Sequence, residues 1–369
     1  MLLEAIRMFG RNIRVKLKGY PKYIGNDEEI CKRIIEDCYD HERKYLRTTS
    51  KTGNYPLFYA RDFGMCSEAL VRLGYKGKVI RTLEYAMDIY SAHDDITVAI
   101  DPIGKTFNFP NIYSPDSVAY LFRALRASQD ARLVSRYSRF LNKEILNFED
   151  KVIDKSLGIV NDRHFSGMRD HVIVRRSCYD MIMACMLESE IEKINRMMKK
   201  PLLVNPLKKY DLRKNLVKHY WNGYFKNSPN DSSITSHCNL FPFWLGIIED
   251  RKMRKLALEA IEKEGLLKPL PAKYSNSKQD FIWQEIFVPN WESRAVWSWL
   301  GMVYIDLMFD INRKKTRLQL KRYSELIEKH GFVELYDENL LPFQSFFFCA
   351  DNSMIWASMY LDRKKRLEK

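Results

Sequence analysis

Arg61 and Asp62 stand side by side at the end of an aromatic, proline-bearing stretch, Tyr55-Pro56-Leu57-Phe58-Tyr59-Ala60, and lead straight into an apolar segment. A donor and an acceptor beside flat ring faces make the combination a sugar needs. The plainer alternative is that Asp62 caps a helix starting near Phe63 and Arg61 is a surface charge. Two further acids could carry chemistry. Asp170, in His164-Phe165-Ser166-Gly167-Met168-Arg169-Asp170, lies seven residues before the next apolar segment, too far away to cap it, so it needs another role. Glu334 lies in Phe332-Val333-Glu334-Leu335-Tyr336-Asp337, where a strand period of two would put Phe332, Glu334 and Tyr336 on one face. Two carboxyl groups of this kind suit glycoside hydrolysis, in which one protonates the leaving oxygen and the other acts as base or nucleophile.

These residues need a scaffold that gathers distant loops. Apolar periodicity predicts about twelve helices of two alternating kinds. Charged, amphipathic stretches cover 27–46, 76–91, 130–148, a broken region over 190–221, 250–264 and 312–330. Stretches apolar on most faces cover 63–73, 115–127, 177–187, 234–248, 292–309 and 353–361. A helix apolar all round is buried and one with a charged face lies outside, so the expected class is all-α, six inner helices ringed by six outer ones. Only short strand pieces are expected, at 158–160 and 331–336.

The connections sort in the same way. Inner-to-outer links are mostly short, as at Gly74-Tyr75, Ser128-Gln129 and Glu249-Asp250, which makes helical hairpins. Outer-to-inner links are long, and a ring would collect all of them at one end. Loops beyond about 12 residues in a compact domain are usually functional. Nearly every one of these brings a carboxylate and an aromatic ring, including Trp283, Glu285, Trp291 and Glu292 in the fifth.

Bulk properties restrict the function classes. The 369 residues, 46% of them hydrophobic, are expected to form one large helical domain over 27–369, with an extension over 1–26 packed on its body. A net charge of +14 admits a polyanionic partner, but basic and acidic residues alternate along the helices and no basic-aromatic motif appears, so no nucleic acid is expected. The segment 11–18 could touch a membrane surface or pack on the body; without a long apolar run, no stable membrane insertion is expected. The start does not resemble a signal peptide, which points to the cytoplasm. Seven scattered cysteines without a Cys-x-x-Cys pair are expected to be buried free thiols, and no metal or other cofactor is expected. Oligomeric state cannot be read from the sequence.

Several motifs, in order along the chain, carry a resemblance. Phe58-Tyr59-Ala60-Arg61-Asp62-Phe63 followed by Ala69-Leu70-Val71-Arg72-Leu73-Gly74-Tyr75 is similar to the first inner helix of the six-hairpin glycosidases, the (α/α)6 toroids that include glucoamylases, trehalases and the glucosidase part of glycogen-debranching enzymes. Ser228-Pro229-Asn230-Asp231 with Asn239-Leu240-Phe241-Pro242 resembles the fourth repeat, Arg294-Ala295-Val296-Trp297-Ser298-Trp299-Leu300 the fifth, and Asp351-Asn352-Ser353-Met354-Ile355-Trp356 the last inner helix. The resemblance implies an (α/α)6 toroid and an inverting hydrolase of an α-glucoside or short oligosaccharide, with Asp170 as general acid and Glu334 as general base. Together with the loop positions it gives Tyr59, Arg61, Asp62, Trp291, Glu292, Arg294, Trp297, Tyr336 and Asp351 as candidate contacts to a carbohydrate substrate. The chain departs from those branches at Met168, where a tryptophan commonly stands near the acid, and in using an aspartate where glucoamylases use a glutamate. A phosphorylase or epimerase on the same toroid, using loop arginines or His164 and His237, is the second expectation, and a non-catalytic carbohydrate-binding protein the third.

Overall fold

The computed structural model describes residues 2–276 and 288–368; Trp283 and Glu285 lie outside the described residues. Helix α1 (Leu2–Lys18) precedes six pairs: α2 (Asp27–Asp37) and α3 (Ala60–Arg72), α4 (Lys76–His93) and α5 (Pro115–Ser128), α6 (Ala131–Val152) and α7 (Cys178–Met197), α8 (Leu212–Tyr220) and α9 (Ser236–Trp244), α10 (Arg251–Lys263) and α11 (Ser298–Met308), α12 (Arg313–His330) and α13 (Ala357–Glu368). The second helix of each pair is inner. Each inner helix packs on the next, from α3 through α5, α7, α9 and α11 to α13, and α13 returns to α3, so the ring closes. The fold is an (α/α)6 toroid.

Sequence pattern explains the two layers. In α5 every residue except Arg126 is buried, as in a helix surrounded by others. In α10 only Ala257, Leu258 and Ile261 are buried, one narrow stripe with charges on the remaining faces. Glycine sets one of the closest helix contacts: a Cβ on Gly64 of α3 would lie 2.5 Å from the Cβ and carbonyl oxygen of Tyr120 in α5. All seven cysteines are buried and unpaired.

Away from the long loops, ion pairs tie the inner helices together. Arg126 of α5 holds Glu190 of α7 at 2.7 Å and also pairs with Glu68 of α3, while Arg123 reaches Glu68 at 3.2 Å. Arg72 of α3 holds Asp362 of α13 at 2.8 Å, and Arg363 of α13 holds Asp306 of α11 at 2.7 Å. Asp306 in turn accepts the Trp244 indole N–H from α9 at 2.9 Å.

Several boundaries differ from the sequence expectation, four of them for clear physical reasons. The helix expected over 27–46 stops at Asp37, because Tyr39–Asp40 and Tyr45–Leu46 pair as a small hairpin whose turn places Lys44 at φ 61°. Helix α7 continues to Met197; the polarity beginning at Glu190 suggests an outer helix, but Glu190 is buried and neutralised by Arg126. The fifth inner helix starts at Ser298, since Val296–Trp297 pairs antiparallel with Leu335–Tyr336. The sixth starts at Ala357, with Phe332 bridging Ser353 upstream of it.

Short strands fasten the loops to one another. Phe58–Tyr59 pairs with Ala99–Ile100, which pairs with Thr106–Phe107, so the first and second long loops form one three-stranded piece. The Val296–Trp297 pairing joins the fifth and sixth.

Candidate active site

At the start of α3, Tyr59 occupies the N-cap position and no side chain caps the helix. Asp62 therefore does not cap from the N-cap position. It is buried and accepts the Trp356 indole N–H at 2.8 Å, and burial, opposed by the Arg61 charge, pushes its pKa up to about 6. Arg61 lies between two acids. Its Nε donates to Asp116 Oδ2 at 2.6 Å and its Nη1 to Asp170 Oδ1 at 3.4 Å.

Asp116 belongs to the site although sequence reasoning missed it. It is fully buried in the first turn of α5, where the Ser114 and Tyr179 hydroxyls also donate to it at 2.6 and 2.9 Å. Ser114-Pro115-Asp116 reads as an ordinary helix start, and only the ring brings it to Arg61. Because Asp116 takes the shorter bonds, Asp170 keeps a weak share of the guanidinium. Burial then outweighs the Arg61 attraction and raises the Asp170 pKa to about 6, with Asp116 adding to the rise. A side chain 20% exposed keeps Asp170 open to an incoming ligand.

The Asp170 loop is held by its neighbours. Ser166 donates from its N–H to the Tyr113 carbonyl at 2.9 Å and from its hydroxyl to the Phe109 carbonyl at 2.7 Å, both on the second loop. The Tyr274 hydroxyl donates to the Met168 carbonyl at 2.8 Å. Buried Glu292 accepts the His171 N–H at 2.9 Å and the Val172 N–H at 3.0 Å, while its carbonyl accepts from Arg169 Nε at 3.0 Å. Glu292 thus clamps the two residues that follow Asp170. Burial, and then the charge of Asp170, raise its pKa to about 8.

Glu334 comes from the opposite side. It is buried, and its backbone is fixed on both sides: its N–H donates to the Asp351 carbonyl at 2.7 Å and its carbonyl accepts from Ser298 N–H at 3.1 Å. Its Oε2 accepts the Asp351 N–H at 3.1 Å. Burial first, then the charge of Asp351, raise its pKa to about 8; Arg11 opposes the rise and Asp62 adds to it. Burial raises the pKa of the Tyr55 phenol too, with the charges of Glu334, Asp351 and Asp170 all contributing, so Tyr55 stands in the field of both candidate catalytic acids.

Other expected contacts are placed differently. Asp351 is occupied within the protein: it pairs with Arg11 of α1 at 2.8 Å and accepts the Asn54 N–H at 2.5 Å. Tyr336 is buried, and burial raises the pKa of its phenol while a hydrogen bond with the Val333 backbone opposes the rise. Arg294 is exposed and makes no ion pair among the described residues. Trp291 is half-buried, Trp297 is buried, and their rings lie 5.8 Å apart; the Trp297 indole donates to the Trp291 carbonyl at 2.9 Å. Trp291 also lies 6.2 Å from the His171 ring, which puts it beside the Asp170 loop. Tyr59 is half-buried, edge-on to Tyr55 with ring centroids 6.1 Å apart. The structure therefore brings Asp170, Arg61, Asp62, Glu334, Glu292, Trp291 and Tyr59 to the loop end, with Tyr336 on the strand that joins the fifth and sixth loops and Arg294 exposed. A cavity of about 580 Å³ opens between the third and fourth loops, lined by Asp162, Arg175, Arg176, Ser228, Asn230 and Asp231 among others, without Asp170 or Glu334 in its wall.

Solved structures share this architecture. A rhamnosidase from Klebsiella oxytoca with rhamnose bound aligns with a TM-score of 0.64 at 10% identity, over 93% of this chain and 63% of that one. A GH63 mannosylglycerate hydrolase from Thermus thermophilus in complex with glucose gives 0.61 at 11% identity, over 93% of this chain and 100% of that one. A glycosidase in complex with glucose gives 0.67 at 12% identity, over 93% and 97%. No family model and no curated protein sequence matches the chain. The fold is that of the six-hairpin glycosidases.

Proposed function

We propose that this protein is an inverting glycoside hydrolase acting on an α-glucoside or short oligosaccharide. The observation that carries this reading is a pair of carboxyl groups, half-buried Asp170 and buried Glu334, delivered by the third and sixth long loops and both raised above the ordinary carboxylate range. Asp170 protonates the leaving glycosidic oxygen while Glu334 takes a proton from a water attacking the opposite face of the anomeric carbon, in a geometry that calls for about 6.5–9.5 Å between the carboxyl groups. Arg61 and Asp62 hold the terminal sugar between them, and the half-buried rings of Tyr59 and Trp291 give stacking surface. Rhamnose and glucose in structures of the same fold support a sugar ligand.

The test is a screen of free-sugar release across trehalose, maltose, isomaltose and rhamnosyl and mannosyl glycosides, with the first-formed anomer followed by proton NMR. The expected result is release from an α-glycoside with the β-anomer appearing first. Release with the α-anomer first, or no release from any glycoside, contradicts the reading. A second reading, phosphorolysis on the same toroid, draws on Arg175 and Arg176 in the 580 Å³ cavity; sugar phosphate formed only with added inorganic phosphate would select it.

A further inference from the structure

Helix α1 is turned the opposite way to an ordinary surface helix. Its body-facing side carries Arg11, Asn12 and Val15, all buried, with Arg11 bound to Asp351 and the Asn12 amide donating to the Phe347 carbonyl at 2.9 Å. Its outward side carries Ile6, Phe9, Ile13 and Leu17, exposed by 59, 51, 43 and 79%. Steps of three and four residues put these on one stripe of the helix. The turn gripped by Lys16 and Asn12 adds Phe346 and Phe347, 80 and 41% exposed, and the Lys16 ammonium lies 5.1 Å from the Phe346 ring centroid. Single exposed apolar residues are ordinary on a protein surface; a face of six is an interaction site.

The charges identify what covers it. No Asp or Glu occurs from Ala5 to Gly25, while Arg7, Arg11, Arg14, Lys16, Lys18 and Lys22 do. Asp351 neutralises Arg11, while Arg14, Lys16 and Lys18 are exposed on the same helix and Lys22 is exposed just past its end. A second copy related by a two-fold axis would bring these like charges together. An anionic lipid surface satisfies both halves: the acyl boundary takes the aliphatic and aromatic side chains, and the headgroups take the ammonium and guanidinium groups. No described helix is long and apolar enough to cross a membrane, and an amphipathic helix of 17 residues, about 25 Å long by its rise per residue, suits lying in the interface. We propose that α1 and the Phe346-Phe347 turn dock this protein onto anionic membrane surfaces, independently of the reaction proposed above. Because α1 also bonds Asn54 and Asp351 of the first and sixth loops, docking brings the loop end of the toroid beside the lipid.

The full chain is tested by co-sedimentation with vesicles of phosphatidylcholine alone and of phosphatidylcholine with phosphatidylglycerol, at low and high salt. The expected result is binding to the mixed vesicles at low salt, weaker by about tenfold or more on phosphatidylcholine alone and at high salt. Phe9→Ser with Leu17→Ser, and separately Lys18→Glu with Lys22→Glu, should each reduce binding by about tenfold with the unfolding temperature unchanged. Absence of binding to mixed vesicles at low salt, or full binding by both double variants, overturns the proposal. So does a concentration-dependent dimer that Phe9→Ser with Leu17→Ser abolishes in a chain that ignores vesicles, which assigns the face to a second copy.

Discussion

At the residue scale, reactivity depends on which charge each carboxyl group meets. Asp170, at about 6, and Glu334, at about 8, predict a bell-shaped pH profile of kcat/KM with inflections near those two values and a plateau between them. With the base the weaker acid of the pair, only about 1% of molecules at pH 7 carry protonated Asp170 with ionised Glu334. Sugar hydroxyls donating to Glu334 stabilise its ionised form, so in kcat the upper inflection moves down. On a substrate whose leaving group departs without protonation, Asp170→Asn should lose the inflection near 6 and keep the one near 8. An unchanged profile in that variant would remove Asp170 from the acid role. Some of this was legible in the sequence: Asp170 stood too far from a helix to be its cap, and Glu334 sat in the last long loop. Asp116 and the clamp made by Glu292 were not legible, because their meaning depends on contacts such as Arg61 with Asp116 between residues far apart in the chain.

At the element scale, the alternation of all-apolar and one-faced helices foretold the two layers, since burial on every side and burial on one side demand different compositions. The errors came where a buried charge mimicked a surface, as Glu190 does in α7, or where a hairpin mimicked helical spacing, as at Tyr39 to Leu46. Close contact between α3 and α5 depends on Gly64. Replacing it with alanine sets a methyl 2.5 Å from Tyr120 backbone and side-chain atoms, which flexible side-chain motion cannot relieve. Gly64→Ala should therefore destabilise the protein by about 1–3 kcal/mol or more and, because Arg61 is one turn away on α3, reduce turnover as well. Urea unfolding measures the first effect and sugar release the second; unaltered stability would refute the contact.

At the scale of the whole molecule, the ring closes through packing at the loop end and ion pairs at the other. Burial alone would raise the Glu68 pKa, but the guanidinium groups of Arg123, Arg126 and Arg72 outweigh it and hold the carboxyl far below the ordinary range. A depressed folded-state pKa contributes stability that is present above the unfolded value and is lost as pH falls toward the folded one. Glu68→Gln should accordingly cost roughly 2–4 kcal/mol near neutral pH, with the gap to the parent narrowing below about pH 4. Chemical unfolding at the two pH values checks this, and a constant gap would contradict it. The central claim is that Asp170 and Glu334 share one hydrolytic reaction, and its most direct test measures sugar release by Asp170→Asn and Glu334→Gln on a glycoside the parent cleaves, with thermal unfolding followed in parallel. Glu334 binds its proton more tightly folded, at about 8, than at its ordinary 4.5, so it costs stability as pH rises through that window, and Glu334→Gln should melt no lower than the parent at pH 8. The account predicts that each folded variant loses at least about a hundredfold in kcat; full turnover in either one would contradict it.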